Sequence, residues 1–79
     1  MEPIEVEHGG IRLGQLLKLA GVADSGAAAR GLLDQGEVSV NGEPESRRGR
    51  QLFDGDIVTV ALPAGDQVFQ VRAIDAPGG

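Results

Sequence analysis

The chain opens with an alternation: Ile4, Val6 and His8 are separated by Glu5 and Glu7, and the pattern stops at Gly9-Gly10. A period of two with one apolar side predicts a short, half-buried strand. From Arg12 the period changes. Leu13, Leu16, Leu17 and Ala20 recur at i, i+3, i+4 and i+7, which predicts a helix with one apolar stripe and a stop at Gly21. Arg12, Gln15 and Lys18 then fall on the side away from the stripe, free to face solvent or a ligand. Ser25 is placed to cap a second helix through its hydroxyl, with Gly26 in the first turn and Gly36 at the end. Ala29, Leu32 and Leu33 make the buried stripe of that helix.

Beyond it, positions 37–40 alternate and run into Asn41-Gly42, a strong hairpin signal. The returning segment 43–46 contains Pro44, which marks an edge or irregular strand. Leu52-Phe53 leads to the turn Asp54-Gly55-Asp56 and a strand Ile57–Leu62. Residues 63–66 turn again before a last strand over 67–74, and the tail 75–79 is expected to fray. Phe53 and Phe69 read as core. The expected fold is α+β, a single domain over 1–79: two short helices packed side by side on a small, mostly antiparallel sheet. Leu13, Leu16, Leu17, Leu32, Leu33, Val38, Val40 and Val58 should be buried in it.

Charge adds the main functional clue. The net charge is −5, yet three of the six arginines stand in Arg47-Arg48-Gly49-Arg50, directly after the hairpin. The footprint of a nucleic-acid binder is local rather than global. Over 11–60 there are six basic and seven acidic residues, so most of the excess acid lies outside the middle. The bland alternative is a solvated loop in which Gly49 supplies a positive φ. Arg30 lies one turn beyond Gly26 on the same face, above a helix N-terminus that favours anions. It can equally pair with Asp34 at i+4.

Length and composition exclude several classes. A chain of 79 residues has a small core and no room for a large enclosed active site. Without cysteine there is no disulfide scaffold, thiolate metal site or cysteine nucleophile, which allows a reducing cytoplasm. The longest apolar stretch, Ile57–Leu62, is far below the roughly 20 residues of a membrane span, and the N-terminus lacks the pattern of a secretory signal. A soluble cytoplasmic monomer without cofactor or metal is expected.

Two helices, a strand, Val40-Asn41-Gly42, a basic connection, then Asp54-Gly55-Asp56 and a closing strand: this order resembles the RNA-binding domain named for ribosomal small-subunit protein S-four, the αL motif. The resemblance covers 11–60, with an extra N-terminal and C-terminal strand outside it. It is carried by Leu13, Leu16, Leu17, Gly21, Ser25, Ala29-Arg30, Leu33, Gly36, Val38, Val40-Asn41-Gly42 and Gly55-Asp56. The chain looks most like the small free-standing bacterial members of the YbcJ/YaaA type. The resemblance implies a non-catalytic protein that grips structured RNA, ribosomal RNA or a tRNA-like fold, rather than DNA. It implicates Lys18, Arg30, Arg47, Arg48 and Arg50, with the backbone at Ser25-Gly26 near a phosphate. Two departures narrow the patch: Gly26 stands where many members have arginine, and the chain as a whole is acidic.

The residues themselves support such a ligand. Single-strand binders rely on aromatic stacking, whereas clustered guanidiniums suit phosphates and the shape of folded RNA. A second reading comes from Gly78-Gly79, which resembles the tail of ubiquitin-like sulfur carriers. Those carriers begin with a hairpin and one main helix, and here Pro77 and the strand over 67–74 intervene before the tail. Catalysis is weaker still. His8, the only histidine, reads as an edge or partly buried strand residue, and Asp54 and Asp56 as turn residues.

Overall fold

The structure is a computed structural model that describes residues 1–7 and 9–74. His8, the tail 75–79 and with it Gly78-Gly79 lie outside the described residues. The chain runs β1 (Glu2–Glu7), β2 (Ile11–Arg12), α1 (Leu13–Leu19), α2 (Gly26–Asp34), β3 (Val38–Val40), β4 (Glu43–Pro44), β5 (Gln51–Leu52), β6 (Ile57–Leu62) and β7 (Gly65–Ile74).

Five strands form one sheet in the order β1-β7-β6-β3-β4, and β2 pairs with β5 in a separate two-stranded ladder. The β3–β4, β3–β6 and β6–β7 pairs are antiparallel, while β1 lies parallel to β7, with Ile4 opposite Val71. The expected α+β class and mostly antiparallel sheet are therefore present. Asn41 and Gly42 both take positive φ, 52° and 85°, the backbone of a tight hairpin, and Pro44 sits on the edge strand β4.

Each helix uses the stripe its spacing dictates. Leu13, Leu16 and Leu17 of α1 and Ala29 and Leu33 of α2 are buried over the sheet residues Val38, Val40, Val58, Val60, Phe69 and Val71. Val40, Val58 and Phe69 form one row across three strands, so a single apolar band meets both helices. Val6 extends the core at β1 and Leu52 at β5.

Three expectations need correction. Phe53 is 58% exposed, because alternation along 51–53 turns only Leu52 inward. Leu32 is half-buried at the flank of the stripe rather than inside it. The last strand begins at Gly65, paired with Leu62, which leaves Pro63-Ala64 as the turn. No helix among the described residues is long and apolar enough to cross a membrane.

Candidate nucleic-acid interface

Helix α1 starts without a Ser, Thr, Asp or Asn at its N-cap, Arg12. Its first N–H groups still need acceptors. The arginine loop provides them: Leu13 N–H donates to the Arg50 carbonyl and Gly14 N–H to the Arg48 carbonyl, both at 2.9 Å. The Gln15 side-chain oxygen accepts the Arg12 N–H at 3.2 Å, and Arg12 Nη1 donates to the Gly49 carbonyl at 3.4 Å. Pairing of Ile11 with Leu52 and Arg12 with Gln51 brings the two segments together. Gly14 eases the approach, since a Cβ there would lie 3.2 Å from Arg48 Cβ and press the loop outward by a few tenths of an ångström. Gly49 does not take the positive φ that the solvated-loop alternative assigns to it.

The result is an open groove of about 290 Å³ between α1, the start of α2 and the loop, lined by Arg12, Gln15, Lys18, Gly26, Arg48 and Gly49, with Gly14 and Ala29 in its floor. Three cations and no carboxylate line it. At its α2 end, Ser25 Oγ accepts the Ala28 N–H at 3.1 Å, as its place before the helix predicts. The N–H groups of Gly26 and Ala27 precede the first intrahelical bond and face outward from the helix end. On the other flank of α1, Glu5 and Glu7 border a depression shared with Gln15 and Leu19, so the cationic surface is narrow.

The residues expected to act together are divided by the structure. Lys18, Gly26 and Arg48 share the groove, with Ser25 beside it. Arg30 points to Asp34, Nε to Oδ2 at 3.9 Å, with both side chains about 70% exposed. Arg47 and Arg50 instead hold Glu45, whose side chain is only 8% exposed. Glu45 Oε1 accepts the Arg47 N–H at 3.0 Å and Arg47 Nε at 3.2 Å; Oε2 accepts Arg47 Nη2 at 3.3 Å and Arg50 Nη1 at 2.9 Å. Hydrogen bonds from the Arg47 side chain, then from Arg50 and the Arg47 amide, pull the Glu45 carboxyl from 4.5 down to about 2.

The groove also holds Arg12 and Gly14, which lie outside the residues that the resemblance implicates. The position of Arg12 on the polar side of α1 was a signal for the first; nothing local signals Gly14, whose role depends on a loop far along the chain. The turn aspartates are used internally: Asp56 accepts the Phe53 N–H at 2.8 Å and Asn41 Nδ2 at 3.1 Å, and Asp54 accepts the Ala73 N–H at 2.9 Å. Among the described residues no group of three His, Cys, Asp or Glu side chains could hold a metal ion.

The solved structure of YbcJ from E. coli, described as revealing an αL motif involved in RNA-binding, superposes with a TM-score of 0.67 at 34% identity, covering 92% of this chain and 89% of YbcJ. A Bacillus subtilis protein named "Probable ribosome maturation protein RlbA" is 50% identical over 58 residues, 73% of this chain and 82% of that protein. The small ribosomal subunit protein uS4m of Schizosaccharomyces pombe is 49% identical over 49 residues, 62% of this chain but only 15% of that protein. Nothing in these matches supports a sulfur carrier. The S4 domain profile matches residues 4–72, and the chain belongs to the S4 domain family.

Proposed function

We propose that the protein is a non-catalytic RNA-binding protein that recognises structured RNA, ribosomal RNA foremost, through phosphate contacts in the groove of Arg12, Lys18 and Arg48. The observation that carries this is the convergence of three cations, two from α1 and its N-cap and one from the distant arginine loop, beside the α2 N-terminus, with no carboxylate in the lining. Guanidiniums donate in a planar fork that matches phosphate oxygens, and a helix N-terminus adds amides aimed at an anion. The groove is open, near the lower end of small-molecule pocket sizes, and lined by no aromatic side chain. It therefore suits the backbone and shape of folded RNA better than stacked single-stranded bases.

The αL motif of YbcJ, involved in RNA-binding, and the ribosome-maturation name of the B. subtilis relative support the same target class. The protein would act as a cytoplasmic monomer, without DNA or membrane as partner. Crosslinking in cells, followed by sequencing of the attached RNA and mapping of the crosslinked peptides, tests this. Structured ribosomal RNA joined to peptides containing Lys18 or Arg48 is the expected outcome. Crosslinks confined to the β1 or β7 side would count against the groove.

A further inference from the structure

Among the described residues Glu45 is the charged side chain buried in the domain, and it lies beside the basic loop of a protein expected to bind a polyanion. A carboxylate there lowers the local positive potential, so its presence calls for a physical reason. Its main chain is anchored to the sheet: Glu45 N–H donates to the Val38 carbonyl of β3 at 3.0 Å. Its two oxygens take four hydrogen bonds from Arg47 and Arg50. The loop they hold then presents the Arg48 and Arg50 carbonyls to the N–H groups of Gly14 and Leu13. Between these anchors the Arg48 side chain is left over, against Gly14 and in the groove; among the described residues it has no carboxylate partner.

We propose that Glu45 is a positioning residue for RNA binding: its carboxylate uses Arg47 and Arg50 to fix the loop on α1, so that Arg48, which lines the groove without a carboxylate partner among the described residues, is held where it can meet RNA. This rests on the RNA-binding reading of the groove and assigns different work to neighbouring arginines. The pull of Glu45 toward its charged form by both arginines is consistent with a permanent clamp. Charge-assisted bonds of this kind are roughly twice as strong as neutral ones, enough to order a short loop.

Glu45→Gln separates positioning from plain electrostatics, because the two predict opposite signs. Removing a negative charge beside a basic groove should by itself tighten RNA binding. Loss of the clamp should weaken binding to deproteinised bacterial ribosomal RNA by roughly tenfold, the scale of one lost hydrogen bond to a charged group. Amide exchange should speed up at Leu13 and Gly14 while the β6–β7 ladder stays protected. Arg47→Gln, which takes two side-chain donors from Glu45, should likewise weaken binding and speed exchange at Leu13 and Gly14, whereas Arg48→Gln should flatten the log–log salt slope by about 0.7–0.9 and leave that exchange unchanged. Equal or tighter binding by Glu45→Gln, or unchanged protection at Leu13 and Gly14, overturns the proposal. Should Glu45→Gln not fold, Arg47→Gln decides: unchanged protection at Leu13 and Gly14 overturns it. Wild-type protein that binds no ribosomal RNA would instead refute the RNA reading, while the amide exchange still reports whether Glu45 holds the loop.

Discussion

Gly14 and Arg48 meet through the main chain: the Gly14 N–H donates to the Arg48 carbonyl at 2.9 Å, and no side chain at 14 separates helix α1 from the loop. The contact caps the helix and places the Arg48 side chain at the groove in one step. Gly14→Ala sets two effects against each other. Alanine gains about 1 kcal/mol of helix propensity over glycine, but its Cβ, 3.2 Å from Arg48 Cβ and 3.4 Å from Arg48 O, pushes the loop outward by a few tenths of an ångström. The melting temperature should move by only a few degrees, while RNA affinity falls by a factor of a few. Calorimetry and filter binding on the same variant measure both.

The core distinguishes residues that look alike in the sequence. Leu17 and Leu33 are at most 2% exposed, so truncation of either to Ala should cost roughly 2–5 kcal/mol, a large part of the stability of a domain this size. Phe53 is exposed, and Phe53→Ala should stay within about 0.5 kcal/mol. Urea titrations of the three variants give the ranking, and a Phe53 effect comparable to that of Leu33 would contradict the placement of β5.

Acid stability should carry the signature of Glu45. Its carboxyl sits at about 2 in the folded protein against an ordinary 4.5, held there first by the Arg47 side chain and then by Arg50. A folded value below the unfolded one means that the contribution is fully present above pH about 4.5 and is lost as pH falls toward about 2. Thermal melts across that window should show a steeper loss for wild type than for Glu45→Gln. Parallel curves would mean that the ion pairs do not persist in solution.

Gly26 offers a gain of binding. A Cβ there meets no atom within 4 Å, so Gly26→Arg introduces a cation at the mouth of the groove without displacing anything. Binding to folded RNA should tighten, with a salt slope steeper by about 0.7–0.9. Unchanged affinity and slope would place the RNA on another surface.

Much of this architecture is legible one segment at a time. The 3.6-residue stripes of α1 and α2, the Ser25 cap, Asn41-Gly42 and the strand Ile57–Leu62 all rest on local preferences, and the structure contains each of them. Contacts between distant segments are what the local pattern cannot carry. The parallel pairing of β1 with β7 and the two-residue β2–β5 ladder join opposite parts of the chain, and the short ladder is too brief to show a period. Phe53 misleads because its apolar character outweighs its alternation with the buried Leu52. The arginine cluster announced its charge but not its division of labour, because the partner that separates Arg47 and Arg50 from Arg48 is a carboxylate whose burial appears only once the loop folds back on α1.

The salt dependence of RNA binding tests the central claim most directly. Each phosphate contacted contributes about 0.7–0.9 to the slope of log affinity against log salt. With circular dichroism confirming the fold, Lys18→Gln combined with Arg48→Gln should weaken binding to unrelated structured RNAs alike and flatten the slope by about 1.4–1.8. A double variant that keeps the wild-type slope would show that the groove between α1, α2 and the arginine loop does not hold the RNA backbone.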